Sequence, residues 1–428
     1  MGVQDLLITP FYMAIFIGLA YVIRPYATNP ANRKYFLPAL TIKFLGAIML
    51  GMIYQFYYSG GDTFNYWQYG SRWIWEAFLD DPLLGLQLIF TSGENLPEAY
   101  IYTSRIWYFG DSHSYLIVRI AAFFDLFTFH TYGATALFFA VFSFSGLWAM
   151  YSALDQKYPN TRWLHLFLFI PTVFFWGSGI LKDTITLGAL GWVTYACINI
   201  IELKRRNIFQ WIIGLLSAYL IFNIKIYILI CFIPTVFIWL FLKNSHQIRN
   251  VVVRVLMLPL LFLFFGLIGY ASLNQIASQS SKYNLDNIAK RAAINAYDIR
   301  YGWGARTGGD GGYDLGELDG SWQSMVTKMP MAINVSLFRP YLWEVRNPLM
   351  LLSALESSFF LGWTLWLIFW KKRFFTIFKD PFLVFCLAFA LLFAFAVGVS
   401  TFNFGSLMRY KIPLIPFYMV ALVASKKS

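Results

Sequence analysis

Long apolar runs recur along this chain from Leu6 to Val423, separated by short polar stretches and by two long segments in which aromatic and charged residues interleave. A bilayer core of about 30 Å takes about 20 mostly apolar residues per helical crossing. The runs predict spans near 5–23, 37–58, 134–154, 163–178, 184–202, 208–223, 226–242, 251–272, 349–370, 381–400 and 408–424. A membrane barrel would instead show alternating segments of about 10 residues, a pattern not found here. The expected fold is all-α and polytopic, with about eleven spans in a single integral membrane domain. One further run, Tyr115 to Phe129, carries Arg119 and Asp125. Both are expensive at the bilayer centre unless paired or lining a cavity.

Composition supports lipid as the solvent: 59% of the 428 residues are hydrophobic, 20% aromatic and only 13% charged, against about a quarter charged in soluble domains. The net charge of +12 then reads as basic cytoplasmic loops facing anionic lipid, not as a nucleic-acid surface. If 115–129 does not cross, every basic cluster falls on one side. The clusters are Arg24/Arg33/Lys34/Lys43, Lys157/Arg162, Lys204/Arg205/Arg206, Lys243/Arg249/Arg254, Lys371/Lys372/Arg373/Lys379 and Lys426/Lys427. That side holds 18 basic and 3 acidic residues, and the other holds 15 and 18. Such an imbalance marks the inside. The N-terminus is therefore expected outside and the C-terminus inside, with 115–129 an interfacial or re-entrant helix.

Two outer segments follow, 59–133 and 273–348. The first apolar run is expected to be a retained helix, because only Asp5 precedes it and no basic n-region is present. Cys197, Cys231 and Cys386 lie inside apolar runs and read as packing residues. No phosphate-loop motif exists, which argues against ATP-driven transport.

The chemistry gathers on the outer side. Gly60-Gly61 lets a helix end and turn, so Asp62 emerges at headgroup level, suited to act as general base or to ligate a divalent cation. Arg72, Glu76, Arg105, Asp111, His113 and Arg119 punctuate the aromatic stretches that follow. Those aromatics are typical of a membrane interface, but outer arginines have no topological role. Lys182 opens a helix beside exposed N–H groups, where a phosphate oxygen fits. Lys225, in the next outer turn, is a weaker case. The glycine-rich stretch 302–320 reads as a mobile flap. Arg339, Glu344, Arg346 and Glu356 crowd together after it, and Arg409 and Lys411 put two cations at the start of the last span.

These features resemble the GT-C superfamily of polyprenyl-phosphate-dependent membrane glycosyltransferases, closest to the EpsG-like and Wzy-type polysaccharide polymerases. The resemblance is carried by two spans followed by Gly-Gly-Asp-Thr-Phe-Asn-Tyr, by the Phe-Phe-Trp-Gly-Ser-Gly-Ile-Leu-Lys-Asp turn, and by the terminal Met-Arg-Tyr-Lys-Ile-Pro-Leu-Ile-Pro-Phe. It implies transfer of a sugar or oligosaccharide from a polyprenyl phosphate or pyrophosphate donor to an acceptor hydroxyl, outside a bacterial inner membrane. Asp62 matches the family's acidic position in the first outer loop, and Arg409 the cation that contacts donor phosphate. No doubled acid adjoins Asp62, so no cofactor is expected to be required, although a divalent cation remains open. The expected site is catalytic Asp62, with Asn65, Tyr66, Arg72, Arg105, Arg119, Lys182, Arg339, Glu344, Arg409 and Lys411 around substrate and phosphate. The expected partners are the lipid-linked donor, the saccharide acceptor, membrane lipid and, in a polymerase, a chain-length regulator. A flippase for the same lipid-linked saccharides is the competing class. A surface acyltransferase would need a catalytic histidine, for which only His113 and His130 lie outside.

Overall fold

The computed structural model describes residues 2–245, 285–302 and 311–425. Among them the chain is helical, with no strand beyond one isolated bridge between Gly312 and Asn403. Among the described residues, seven helices are long and apolar enough to cross a membrane, or eight if one bent pair counts as a single span. The chain is thus a helical, multi-pass membrane protein. The expected span at 251–272 lies outside the described residues. Contacts divide the chain into two units, Met1–Asn160 with Leu168–Ile226, and Thr161–Phe167 with Tyr227–Ser428.

The first unit is built on α1 (Val3–Ala27), α2 (Arg33–Met52, continued by a wider turn through Tyr57), α8 (Tyr132–Lys157) and α10 (Lys182–Ile201). Between α2 and α8 lie α3 (Asp62–Tyr66), α4 (Arg72–Asp80), α5 (Pro82–Phe90), α6 (Tyr100–Thr103) and α7 (Ser112–Thr128). α8 and α10 run parallel. Their C-terminal ends are joined by Lys157 and Glu202 at 3.1 Å, and Gly146 meets Gly188 and Gly191 along their length. A Cβ on Gly146 would fall 1.9 Å from the Gly188 carbonyl oxygen. Only glycine allows backbones this close, the small-residue contact common between membrane helices.

Parallel neighbours require the chain to return between them. The stretch 158–181 does so without the helical span expected at 163–178. It contains a tight turn (Leu164–Phe169) and the five-residue α9 (Pro171–Phe175), then an irregular turn. Irregular backbone at membrane depth is tolerated where protein buries it and supplies its hydrogen bonds. Lys43 does this. Expected in a cytoplasmic cluster, it is instead 1% exposed within α2. Its Nζ donates to the carbonyls of Val173 (3.1 Å) and Gly177 (2.6 Å) and to Ser143 Oγ (2.9 Å). Gly46, one turn along, lets α9 approach: a Cβ there would lie 2.2 Å from the Phe174 carbonyl oxygen.

Both ends of α7 lie where α8 and α10 begin, hereafter the Lys182 end. Asp111, capping α7, is 3.5 Å from Lys182 Nζ, while Thr128 leads within four residues into α8. The helix therefore lies across that end and does not traverse the unit, as the charge pattern predicts. Its buried acid is satisfied. Asp125, 0% exposed, accepts from Ser71 Oγ (2.6 Å), Thr135 Oγ1 (2.6 Å) and His130 Nδ1 (2.9 Å).

α11 (Ile208–Asn244) is broken at Lys225, whose φ/ψ of −147°/73° is not helical; the break matches the turn expected between 208–223 and 226–242. From Tyr227 onward the chain belongs to the second unit, with α12 (Leu285–Tyr301), α13 (Trp322–Thr327), α14 (Met329–Phe338), α15 (Pro348–Leu365), α16 (Pro381–Thr401), α17 (Phe404–Tyr410) and α18 (Leu414–Val423). Its core is aromatic. Trp239 stacks on Phe385 (5.2 Å), and Phe232 meets Phe385, Phe389 and Phe417. α17 and α18 bend by 70°.

The glycine-rich stretch is corrected in part. Residues 303–310 lie outside the described residues, but 311–316 are pinned down. Tyr313 donates its N–H to Phe402 O (3.1 Å) and its hydroxyl to Gly398 O (2.7 Å), stacks on Phe402 and meets Phe404 at a tilt. Leu315 beside it is fully buried. A flap free along its length is not what this part forms.

Candidate functional site

Gly60 and Gly61 take φ of +133° and +126°, a region closed to other residues without strain. A Cβ on Gly61 would also fall 2.7 Å from the Tyr54 ring. The turn sets Asp62 as the first residue of α3, half-exposed at the Lys182 end. Tyr108 lies across from it. Its hydroxyl is 3.4 Å from Asp62 Oδ1 and 3.4 Å from Asn65 Nδ2, and its ring packs on Tyr66 at 4.9 Å. Three of the expected residues, Asp62, Asn65 and Tyr66, therefore share one partner, which sequence reasoning did not single out.

From Tyr108 the polar contacts continue. Asp111 accepts from His113 N (3.2 Å) and Ser114 Oγ (2.6 Å) while facing Lys182. His113 Nδ1 meets the Asn223 carbonyl, and Lys225 pairs with Asp183. Asp183 and Lys225 are 3% and 7% exposed. Residues from α3, the loop before α7, α10 and α11 thus form one polar band. Lys182 is not a lone cation: its ammonium is shared with a carboxylate, and both remain partly open, at 18% and 34% side-chain exposure.

The buried pair is structural in the first instance. Removing one partner of a buried ion pair strands the other charge and costs about 3–5 kcal/mol. Asp183→Ala should lower the thermal unfolding midpoint in detergent markedly, and adding Lys225→Met should recover much of the loss. An unchanged midpoint in the single variant would contradict the pairing.

The remaining arginines of this unit have other duties. Arg72 pairs with Glu76 at 2.8 Å, and Arg72 and Arg105 both lie over Trp73, at 5.3 and 4.8 Å. Arg119 donates Nε to the Ile89 carbonyl (2.7 Å), at the last residues of α5, where a cation offsets the helix dipole. These three are thus engaged at Trp73 and Ile89 and not at Asp62.

Arg339, Glu344, Arg409 and Lys411 belong to the second unit. Arg339 holds Glu344 through Nε and a terminal nitrogen. Burial would raise the Glu344 carboxyl, but Arg339 and the Tyr341 N–H together hold it below the ordinary glutamate range. The same guanidinium lies 5.4 Å over the Phe404 ring, and Arg409 lies 5.9 Å from the Tyr410 ring centre. Lys411 is not at an open mouth: it is 0% exposed, with Nζ 3.3 Å from Ser357 Oγ and the buried Glu356 beside it.

The Asp125–His130 pair was also not among the expected site residues. His130 stacks on Trp67 at 4.3 Å and 12°, and Phe129 and His130 both take positive φ. The sequence showed an acid five residues before a histidine, but the two meet only because the chain turns sharply after α7. No protein family, curated protein or solved structure matches the chain.

Proposed function

We propose that the chain is a membrane glycosyltransferase of the polysaccharide-polymerase kind. It would transfer a sugar or oligosaccharide from a polyprenyl phosphate or pyrophosphate donor to an acceptor hydroxyl, on the outer side of a bacterial inner membrane. The Lys182 end would then face outward, with the N-terminus outside and the C-terminus in the cytoplasm. The observation that carries this reading is the position of Asp62: a carboxylate projected by a double-glycine turn, among Asn65, Tyr66 and Tyr108, on a polar band that ends in lysines.

In this reading Asp62 takes the proton of the acceptor hydroxyl as its oxygen bonds to the anomeric carbon. The bond from that carbon to the lipid phosphate breaks, and the phosphate leaves with the electron pair. Preorganised positive charge where the leaving group gains its own is a large catalytic contribution. Lys182 can supply it by turning from Asp111 toward the phosphate. Arg409 is proposed as a donor-phosphate contact on the strength of the resemblance alone.

A transporter for the same lipid-linked saccharides is the second reading. It is favoured by the buried Asp183–Lys225 pair, since buried charges mark transport pathways. One experiment separates the two. Purified protein in proteoliposomes is given polyprenyl-pyrophosphate-linked oligosaccharide, and product length and sidedness are read together. Elongation supports transfer; movement across the bilayer without elongation replaces it with transport.

A further inference from the structure

At the end of the first unit opposite Lys182, α1, α2, α8 and α10 surround a cavity of about 720 Å³, within the size range of small-molecule sites. Its wall is aromatic. Phe36 packs edge-on against Trp148 (4.8 Å) and Phe144 (5.2 Å). Among the aromatic rings Ser145 is already used: its Oγ donates to Phe142 O (2.7 Å) and accepts from Trp192 Nε1 (3.1 Å), while Ser152 and Gln156 lie further along α8 toward the mouth. The depth of the cavity therefore suits hydrocarbon.

Polar atoms collect at the mouth, in the turn from α1 to α2. Asn29 and Asn32 each accept the other's backbone N–H at 2.9 Å, and both side-chain amides donate to Asp155, at 2.8 and 3.1 Å. That rim is satisfied internally and makes no demand on a ligand. Arg24 and Arg33 flank it. Arg24 Nε donates to Arg33 O (3.1 Å), and Arg33 Nε reaches Thr28 Oγ1 (3.4 Å), on the cavity wall. Their terminal nitrogens make no hydrogen bond among the described residues. An apolar slot with two guanidinium groups at its entrance matches a molecule with a hydrocarbon tail and an anionic head. A guanidinium fork fits phosphate oxygens in particular.

We propose that this cavity binds one acyl chain of an anionic phospholipid, with its phosphate held between Arg24 and Arg33. At the mouth Arg24 and Arg33 stand against Asp155, whose carboxylate is already held by Asn29 and Asn32, so it favours an anionic over a zwitterionic headgroup. It lies on the side expected to face the cytoplasmic leaflet, where anionic lipids attract basic side chains. The inference does not depend on the proposed transfer reaction.

The test uses full-length protein in nanodiscs containing phosphatidylglycerol or phosphatidylcholine with a photoreactive group in the acyl chain. Crosslinks are mapped by mass spectrometry. Phosphatidylglycerol should label α8 residues 144–152 about tenfold or more above phosphatidylcholine. Arg24→Gln/Arg33→Gln should bring it down to the phosphatidylcholine level, and Ser152→Phe, which fills the cavity from its wall, should reduce both. Equal labelling by the two lipids means a general lipid coat only and overturns the proposal. So does undiminished labelling in the arginine variant, or displacement of the probe by polyprenyl phosphate at a lower concentration than by phosphatidylglycerol. Should Ser152→Phe not fold, the paired arginine variant decides, because it changes surface groups alone.

Discussion

Asp62→Asn should lower saccharide transfer by about 10²–10⁴-fold, the contribution of a general base, while the protein still inserts and keeps its thermal midpoint. Asparagine has nearly the same shape and keeps an oxygen for the Tyr108 hydroxyl, 3.4 Å away. It cannot take a proton. The turn that projects residue 62 is set by the positive φ of Gly60 and Gly61, and the substitution keeps the side chain's shape, so the fold has little reason to change. Rates are read on lipid-linked oligosaccharide, with Tyr108→Phe as a milder comparison that removes the contact and keeps the base. Normal polymer from Asp62→Asn would rule out this residue as the base.

The largest effect on the fold is expected at Gly146. Leucine there should prevent α8 and α10 from meeting, because even a Cβ would fall 1.9 Å from the Gly188 carbonyl oxygen. No rotamer relieves a clash that begins at the backbone. The helices must part, losing the Trp192–Ser145 bond and the Lys157–Glu202 pair with their packing. Overpacking a tight core costs about 1–3 kcal/mol when side chains can move, and more when they cannot. Gly146→Leu should therefore give no monodisperse peak on size exclusion, and Gly146→Ala a lower thermal midpoint. A wild-type midpoint for the alanine variant would contradict the contact.

What the sequence revealed depended on how local each cause was. The Gly60-Gly61 turn was legible because paired glycines act where they stand. α7 is the exception to locality: the expectation that it does not cross rested on a sum of charges over the whole chain. Lys43 was not legible: beside Arg33 and Lys34 it looks like a boundary charge, and its acceptors at 173 and 177 are about 130 residues away. Stretch 163–178 has the apolarity of a span, and apolarity reports burial, not helix. Pro171, Gly177 and Gly179 were the local hints that its helix would break. At the candidate site, Asp62, Asn65 and Tyr66 stood together in the sequence. Tyr108 and the Asp111–Lys182 contact came only with the fold, since nothing short-range joins residue 62 to residue 182.

The return stretch 158–181 has a consequence for how the protein is made. A span emerging as one helix can enter the bilayer alone, with its backbone already satisfied. This stretch cannot, because carbonyls at 173 and 177 rely on Lys43 and its close packing relies on Gly46, both in a helix synthesised long before. It has to fold against a surface that α2 and α8 supply, since Lys43 is held to Ser143 as well as to the two carbonyls. The path of the chain from α8 into α10 thus rests on a docking event, in which a lysine of the second helix holds backbone laid down about 130 residues later.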